Sequence, residues 1–595
     1  MKILLTTLNS KYIHTCLSIK YLYEFIKDEC NCFMKEFTIN ENMDKIFSEI
    51  ISGDYDIVAF SCYIWNIELT LKLSETIKQA NPKIKILLGG PEVTYDSVEV
   101  MKNNDFIDYI IEGEGEITLF ETIKALKDNE NMNIDGLTYR ENQNKNNKTS
   151  YDKNSQIIKN TPRDQISDLS IIKSPYTSTM KSELENKIAY YETSRGCTYN
   201  CEYCLSSTIK GVRFFPENQI YSDLKKLVSM EVKQIKFVDR TFNSHKERTL
   251  KLVKYLKEID NGKINFHFEI TAHMLQDDLL EEFRTSREGL FQFEIGVQST
   301  NEKTIKAVNR IDNFKVLSEK VIMIKKFKNI HQHLDLIAGL PYENLDRFKI
   351  SFNDVFRLNP EMIQLGFLKL LKGSPLLEKT ELYGYKYRKY PPYEVISSDY
   401  ITPKELIFLK EIEDIVEKFY NSGLFIKSIW YLYENHYLNN PFQLFEDINI
   451  FLKSKKIHEN LSKDALYEVM YDFYKDKNFQ DLPFFNDLLK FDFLRLGRAR
   501  NVPSYLRNER ELFSREDSHI VLSDEKLKER LGYKKDTHPL EIIKNGHLEI
   551  FRYNIDMYLE NKEQKLQSNY FIYFDYTGKK DFNSRVRFFG GNYEK

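Results

Sequence analysis

The chain is predicted to be an α/β protein built from three successive architectures. These are an N-terminal doubly wound, flavodoxin-like (Rossmann-like) domain, a partial (β/α)6 TIM-like barrel, and a mainly helical domain that ends in a short β hairpin. Three observations carry this reading. Short β-rich runs alternate with amphipathic stretches over the first 126 residues, six further alternations begin at Ala189, and the pattern turns helical after Gly373. The partition expected is residues 1–140, a linker at 141–186, a barrel core at 187–373 and a C-terminal extension at 374–595.

In the first domain the strands expected are Ile3–Leu8, Cys32–Thr38, Ile57–Ser61, Ile84–Leu88 and Phe106–Ile111. Helices are expected at Cys16–Lys27, Asp44–Ile51, Glu68–Ala80, Ser97–Lys102 and Ile117–Leu126. The polar stretch Glu141–Lys153 and a linker with Pro162 and Pro175 close that unit. The barrel strands expected are Ala189–Thr193, Ile235–Val238, Phe266–Thr271, Phe291–Gly296, His333–Ile337 and Met362–Leu368. Barrels of this kind place their chemistry at the carboxyl ends of the strands. Further on, Thr402-Pro403 opens a helix that Gly423 caps, helical spacing runs through Tyr431–Leu494, and Tyr570–Tyr576 with Arg585–Phe588 forms the closing hairpin.

The chain has 595 residues, a formal charge of −3 and 42% apolar residues, and its seven cysteines are too few and too unevenly placed for a disulfide scaffold. No bulk charge recruits nucleic acid or an anionic membrane. The apolar runs fall far short of the about 20 residues needed to span a bilayer, and the N-terminus lacks the pattern of a secretory signal. A reducing cytoplasm is the expected location.

Three cysteines crowd together in Arg195-Gly196-Cys197-Thr198-Tyr199-Asn200-Cys201-Glu202-Tyr203-Cys204, directly after an expected strand. This is ligand spacing, and the residues alone allow a three-Cys zinc site or an iron-sulfur cluster with one open iron. A C-x3-C-x2-C run with an aromatic before its last Cys, opening a six-stranded partial barrel, resembles the radical S-adenosylmethionine (SAM) superfamily. That resemblance implies a [4Fe-4S] cluster on Cys197, Cys201 and Cys204, with SAM chelated to the free iron and cleaved reductively to a 5'-deoxyadenosyl radical. Later segments resemble the elongator-like branch. By that resemblance Tyr203, Val238, Asp239, Glu269, Gln298, Arg310 and Asp335 are the SAM-binding residues, with Gln298 and Asp335 on the ribose and Arg310 on the methionine carboxylate. Val238-Asp239-Arg240 stands where many relatives have a glycine-rich turn.

In the N-terminal unit, Ser61-Cys62-Tyr63-Ile64-Trp65, Gly89-Gly90-Pro91-Glu92 and Gly113-Glu114-Gly115-Glu116 each follow a strand, while no Gly-x-Gly-x-x-Gly or Gly-Lys-Ser/Thr loop is present. Joined to such a barrel, this set resembles a cobalamin-binding domain. Ser61, Tyr63, Trp65, Gly89, Gly90, Pro91, Glu92, Gly113, Glu114 and Gly115 are the cobalamin residues so implied. The Asp-x-His-x-x-Gly motif is missing, so His14, in the loop after the first strand, is expected to be a polar or helix-capping residue and the lower face of cobalamin to go unligated by protein. Tyr199, Arg213, Phe215, Arg240 and His245 are cavity candidates by position.

The chain resembles the cobalamin-binding radical SAM proteins, with an uncharacterised C-terminal extension. The function implied is methylation of an unactivated carbon or phosphinate centre with two SAM molecules. The alternatives are a non-methylating radical enzyme (cyclisation or rearrangement) and a redox or cobalamin sensor. A small-molecule or peptide substrate and an external one-electron donor are the partners expected, with no catalytic side chain assigned.

Overall fold

The five short apolar runs of the first domain become parallel strands, and all but the edge strand, the second in sequence, are largely buried. They are β1 (Lys2–Asn9), β2 (Asn31–Thr38), β3 (Ile57–Ser61), β4 (Lys85–Gly89) and β5 (Tyr109–Ile111). The computed structural model describes residues 1–141, 156–457, 461–498, 502–506, 515–564, 566–577 and 587–592. Side chains alternate across the sheet with period two. Leu4, Leu8, Val58, Phe60, Ile86 and Leu88 pack on one face with Ile46, Ile50, Leu73 and Ile77, whereas Ile3, Leu5, Ile57, Ala59 and Leu87 pack on the other with Ile19, Ile26, Leu119 and Ile123. The covering helices are Leu17–Ile26, Met43–Ser52, Ile67–Ala80, Ser97–Asn103 and Gly115–Asp128, each within two residues of its expected bounds.

Strand order is β2-β1-β3-β4-β5, then β6 (Leu137–Glu141) and β7 (Gln156–Lys159). The last two run antiparallel and were not expected. Both are short and carry too many polar residues to read as strands, and β7 forms the edge of the sheet. Most of the Glu141–Lys153 stretch lies outside the described residues. The chain reverses direction across the sheet between β1 and β3, and loops at their carboxyl ends border the crevice that doubly wound sheets use for ligands.

The second series opens with β8 (Ile188–Tyr191), followed by an unexpected antiparallel pair, β9 (Ser194–Cys197) and β10 (Gly211–Phe214). Next come β11 (Gln234–Phe237), β12 (Asn265–Glu269) and β13 (Phe291–Gln298), and β8, β11, β12 and β13 pair in parallel. β14 (His331–Ala338) and β15 (Met362–Phe367) supply the remaining two of the six expected strands.

The two faces of this parallel sheet differ in chemistry. Phe237, Phe266, Phe268, Phe291 and Phe293 form one, and Phe283 of the helix Asp277–Arg284 packs on it with its ring 4.7 Å from Phe293. The other carries Tyr190, Lys236, His267, Glu269 and Glu294. There Lys236 Nζ lies 2.8 Å from Glu294, and His267 Nε2 lies 3.2 Å from the same carboxylate. Glu269 takes no hydrogen bond at its carboxylate from any described residue, and burial pushes it up to about 7 against the pull of Arg240.

The chain forms two compact units. The first comprises Met1–Ile330, Ile337–Asn344 and Gly366–Pro403, and the second His331–Leu336, Leu345–Leu365 and Lys404–Lys595. Residues 366–403, including β16 (Lys386–Tyr387) and β17 (Val395–Ser397), thus belong with the cofactor-type domains. In the second unit, Pro403–Val416 is the expected helix, and Gly423 has the left-handed φ of +66° expected of it. Helices Ile426–His436, Pro441–Ser454, Lys463–Asp476 and Leu482–Leu494 follow. Buried Asp492 accepts the backbone N–H groups of Lys427 and Ser428, which begin the first of these.

The closing hairpin is part of a three-stranded antiparallel sheet of β18 (Gly546–Tyr553), β19 (Leu566–Asp575) and β20 (Arg587–Asn592), whose first strand was not expected. Gly578, Arg585 and Val586 of the expected hairpin lie outside the described residues. No helix among the described residues is long and apolar enough to cross a membrane.

Two outcomes follow. Gly90 has φ +107°, and a Cβ there would stand 2.5 Å from the Cys62 carbonyl oxygen. Gly90→Ala should therefore destabilise the first unit by about 2 kcal/mol, read as a lower urea midpoint. A Glu269 carboxyl that moves from 4.5 to about 7 on folding binds its proton more tightly in the folded state. Its contribution is present at acid pH and is lost as pH rises from about 4.5 to 7. Glu269→Gln should raise the thermal midpoint relative to the parent at pH 8, by the equivalent of roughly 3 kcal/mol or less, and leave it unchanged near pH 4.5.

Candidate functional site

The cysteine loop is built around a close backbone crossing. Gly196 adopts φ +96°, and any side chain there would run into the Gly211 carbonyl of the facing strand, so β9 can reach Cys197 only with glycine before it. The loop then turns back on itself, as the Cys204 N–H donates to the Cys201 carbonyl (3.1 Å) and the Tyr199 N–H points at Cys197 Sγ (3.4 Å). Glu202 N–H donates to the Val308 carbonyl (2.9 Å) and Asn309 Nδ2 to the Asn200 carbonyl (3.1 Å), which docks the Val308-Asn309-Arg310 segment onto the loop. Cys197, Cys201 and Cys204 are all free thiols, and Cys201 is buried. Three soft sulfur donors on one tight loop fit an iron-sulfur cluster with an open iron.

Several of the expected SAM residues gather beside this loop. Arg310 donates through Nη1 to the Tyr203 hydroxyl (3.3 Å) and through Nη2 to the Gly296 carbonyl (2.5 Å), and it lies 3.2 Å from Asp312. Gln298 has φ +67° and folds its amide over Gly296, leaving no room there for a side chain. Its Oε1 is buried without a hydrogen-bond partner, an acceptor that suits a ribose hydroxyl. Tyr203, Gln298 and Arg310, spread over about 100 residues of sequence, are thereby brought together.

Other expected SAM residues sit elsewhere. Asp239 is 1% exposed and accepts from Thr193 N–H (2.9 Å), Thr193 Oγ1 (2.6 Å) and Ser194 Oγ (2.5 Å), so its carboxylate is occupied in holding the strand that leads to the cysteines. The Val238 N–H donates to the Tyr191 carbonyl (2.9 Å). Glu269 stands on the polar sheet face two residues after His267 on β12. Asp335, on β14, lies in the second unit with His333 Nε2 at 3.6 Å.

The expected cobalamin residues divide in the same way. Ser61 and Tyr63 hydroxyls share Ser18 Oγ (2.9 and 3.1 Å), and the Tyr63 ring stacks on Trp65 at 4.6 Å. Trp65 keeps 44% of its surface exposed while its Nε1 donates to the Leu8 carbonyl (3.2 Å). Gly89 ends β4, Pro91 opens a helical turn, and Gly113 has φ +70° with no described atom within 4 Å of where a Cβ would stand. Gly115 begins a helix and faces Leu22. The exposed Trp65 ring and the open backbone at Gly113 thus stand at strand ends, an arrangement that suits a large planar ligand.

Glu92 and Glu114 are engaged by protein instead. Glu92, 4% exposed, accepts from the Tyr393 hydroxyl at 2.7 Å, and burial pushes its carboxyl up from the ordinary range. Glu114 binds both Nη atoms of Arg213 (2.9 and 2.8 Å) and the Ile166 N–H (2.8 Å). Arg195 joins this group, 2.6 Å from Glu116, 2.8 Å from Glu192 and 3.6 Å from Glu114. Burial pushes Glu192 up to about 7 even beside Arg195.

His14 caps no helix. Its Nδ1 pairs with the Tyr190 hydroxyl at 2.6 Å. Of the cavity candidates, Arg213 serves Glu114, Phe215 stacks on Tyr21, His245 caps the helix Lys246–Glu258, Arg240 is exposed, and Tyr199 donates toward His273 Nε2 (3.2 Å). The pairing of Arg195 with Glu116 went unnoticed in the sequence, because an ion pair between positions 79 apart leaves no spacing signal.

Three family models match the chain. A B12 binding domain model matches residues 3–122, a Radical SAM superfamily model residues 191–355, and a model described as "Protein of unknown function (DUF4080)" residues 381–574. The cobalamin-dependent radical SAM methyltransferase TokK of Streptomyces tokunonensis is 23% identical over 355 residues, 56% of this chain and 50% of that protein. The chain thus spans about half the length of the curated relatives it matches. Among solved structures, the cobalamin-dependent SAM radical enzyme OxsB with aqua-cobalamin and SAM bound superposes with a TM-score of 0.57 at 14% identity, covering 83% of each chain. The radical SAM methyltransferase TsrM of Kitasatospora setae, with tryptophan and a SAM analogue bound, gives 0.55 at 11% identity, covering 68% of this chain and 81% of that one. Both likenesses are likenesses of fold. The chain therefore carries a B12-binding domain followed by a radical SAM domain, on the fold of the cobalamin-dependent radical SAM enzymes.

Proposed function

We propose that the protein is a cobalamin-dependent radical SAM methyltransferase that methylates an unactivated carbon of a small molecule or peptide. The observation that carries this reading is the fastening of the B12-binding strand ends to the cysteine loop within one compact unit, through Glu114 and Glu116 on one side and Arg195 and Arg213 on the other. When bound, the cofactors supply two-electron reductive methylation, in which one SAM yields its methyl and leaves as S-adenosylhomocysteine, while the other leaves as methionine and 5'-deoxyadenosine carrying the substrate hydrogen. The electrons come from an external low-potential one-electron donor.

The chain's own part is binding, orientation and exclusion of water. Cys197, Cys201 and Cys204 would hold three irons and leave the fourth for SAM. Arg310, permanently charged and held by Tyr203 and Gly296, offers the planar fork that grips a carboxylate. Gln298 offers its unpartnered oxygen to the ribose. Ser61, Tyr63, Trp65 and the backbone at Gly89, Gly90, Gly113 and Gly115 would line the corrin, with Pro91 shaping the loop. Thr193, Ser194 and Asp239 keep the cysteine strand in place from below. An oxygen-sensitive centre on free thiols suits a reducing cytoplasm.

The test is anaerobic. Protein reconstituted with iron, sulfide and cobalamin is incubated with dithionite and SAM, and 5'-deoxyadenosine and S-adenosylhomocysteine are quantified. Both should form, and Cys201→Ala should abolish the 5'-deoxyadenosine. Release of 5'-deoxyadenosine without S-adenosylhomocysteine would mark a radical enzyme that does not methylate, and release of neither would refute an enzymatic role. Arg310→Gln should retain iron while weakening SAM binding about 10-fold or more, measured by the SAM concentration at half-maximal cleavage.

A further inference from the structure

Five charged side chains meet where the two cofactor-type domains touch. Arg195 stands two residues before Cys197 on β9, and its guanidinium reaches Glu116 (2.6 Å), Glu192 (2.8 Å) and Glu114 (3.6 Å). Arg213, on the paired strand β10, holds Glu114 by both Nη atoms (2.9 and 2.8 Å). The side chains retain 12% (Arg195), 16% (Glu114), 6% (Glu116), 13% (Glu192) and 13% (Arg213) of their surface. Arg195 also lies 5.5 Å from the Tyr21 ring and 5.7 Å from Phe215, two rings that stack at 6.0 Å, one from each domain.

Such a cluster is a poor choice for stability. Removing each ion from water costs several kcal/mol, and well-packed apolar residues of the same volume would serve as well or better. What a buried, bidentate network does supply is a single geometry, because any displacement leaves a charge buried and unpaired. Both ends of this one are placed where geometry matters. Glu114 and Glu116 flank Gly115 at the carboxyl end of β5 in the B12-binding domain, and Arg195 and Arg213 sit on the hairpin that presents Cys197.

We propose that Arg195 and Glu116 are positioning residues that set the separation and mutual orientation of the corrin and the iron-sulfur cluster, and through it the transfer of a methyl group from SAM. The methyl-transfer part rests on the function proposed above, whereas the spatial part does not. Glu116 touches no expected cluster or SAM ligand, so its effect is exerted through Arg195. Displacing a reacting partner by about 1 Å costs on the order of 100-fold in rate.

The test uses the full chain loaded with cluster and cobalamin, comparing the parent with Glu116→Gln. Iron and cobalamin contents should stay equal. The dipolar coupling between the reduced cluster and cob(II)alamin, read by pulsed paramagnetic resonance, should give one narrow distance in the parent and a broadened or shifted distribution in the variant. First-turnover formation of S-adenosylhomocysteine should fall 10-fold or more, while 5'-deoxyadenosine formation stays within 2-fold.

An unchanged distance distribution overturns the proposal, as does an equal fall in both products, which is what general loosening would produce. If the parent makes no S-adenosylhomocysteine, the methyltransferase reading fails, and the distance measurement still decides the positioning. Should Glu116→Gln lose cobalamin, Arg195→Lys, which keeps the charge and loses the fork, carries the same measurements with the same deciding outcomes.

Discussion

A guanidinium buried among three carboxylates fixes one geometry at the seam of the first unit. Arg195 meets Glu114, Glu116 and Glu192 at the seam where the doubly wound sheet and the barrel strands touch, and Arg213 completes the pairing of Glu114. These contacts act beside the pairing of His14 with Tyr190 and the stacking of Tyr21 on Phe215, which also join the two domains. With them the carboxyl ends of one sheet are tied to the first residues of the cluster loop.

The parallel strands beneath the cysteine loop show how one sheet serves two purposes. Its phenylalanine face, from Phe237 to Phe293, is closed by helices and provides the apolar burial on which folding depends. Its polar face spends Lys236 and His267 on Glu294 and leaves Glu269 without a partner. A buried carboxyl kept near neutrality costs stability above pH 7.

Residues 366–403 add a further tie within the first unit. Tyr393 donates to buried Glu92, and Lys372 pairs with Asp96 (2.8 Å) and with the Glu92 carbonyl (3.2 Å), so the turn after β4 is fastened from outside the domain that contains it. Glu92 is thus a docking residue. Its neighbours Gly89 and Gly90 follow from the chain path, and the left-handed φ of Gly90 is required by the Cys62 backbone whether or not a ligand is present.

The amino-acid sequence by itself determined the local features. The order and approximate bounds of the five parallel and six barrel strands, the covering helices and the three-cysteine loop all follow from period-two and period-3.6 apolar patterning and from ligand spacing, which neighbouring residues encode. It also pointed to Gln298 and Arg310, which the fold brings beside Cys201 and Tyr203. Tertiary structure alone decided what each polar side chain does. Asp239 went to Thr193 and Ser194, Glu114 to Arg213, Glu92 to Tyr393 and His14 to Tyr190, and the strands β6, β7 and β18 and the β9–β10 hairpin formed from sequence with no strong strand pattern. The physical reason is range. Apolar burial is read from a repeat a few residues long, whereas a buried polar group must find its partner wherever the folded chain places one, and the partners of Asp239, Glu114, His14 and Glu92 lie 45 to 301 positions away.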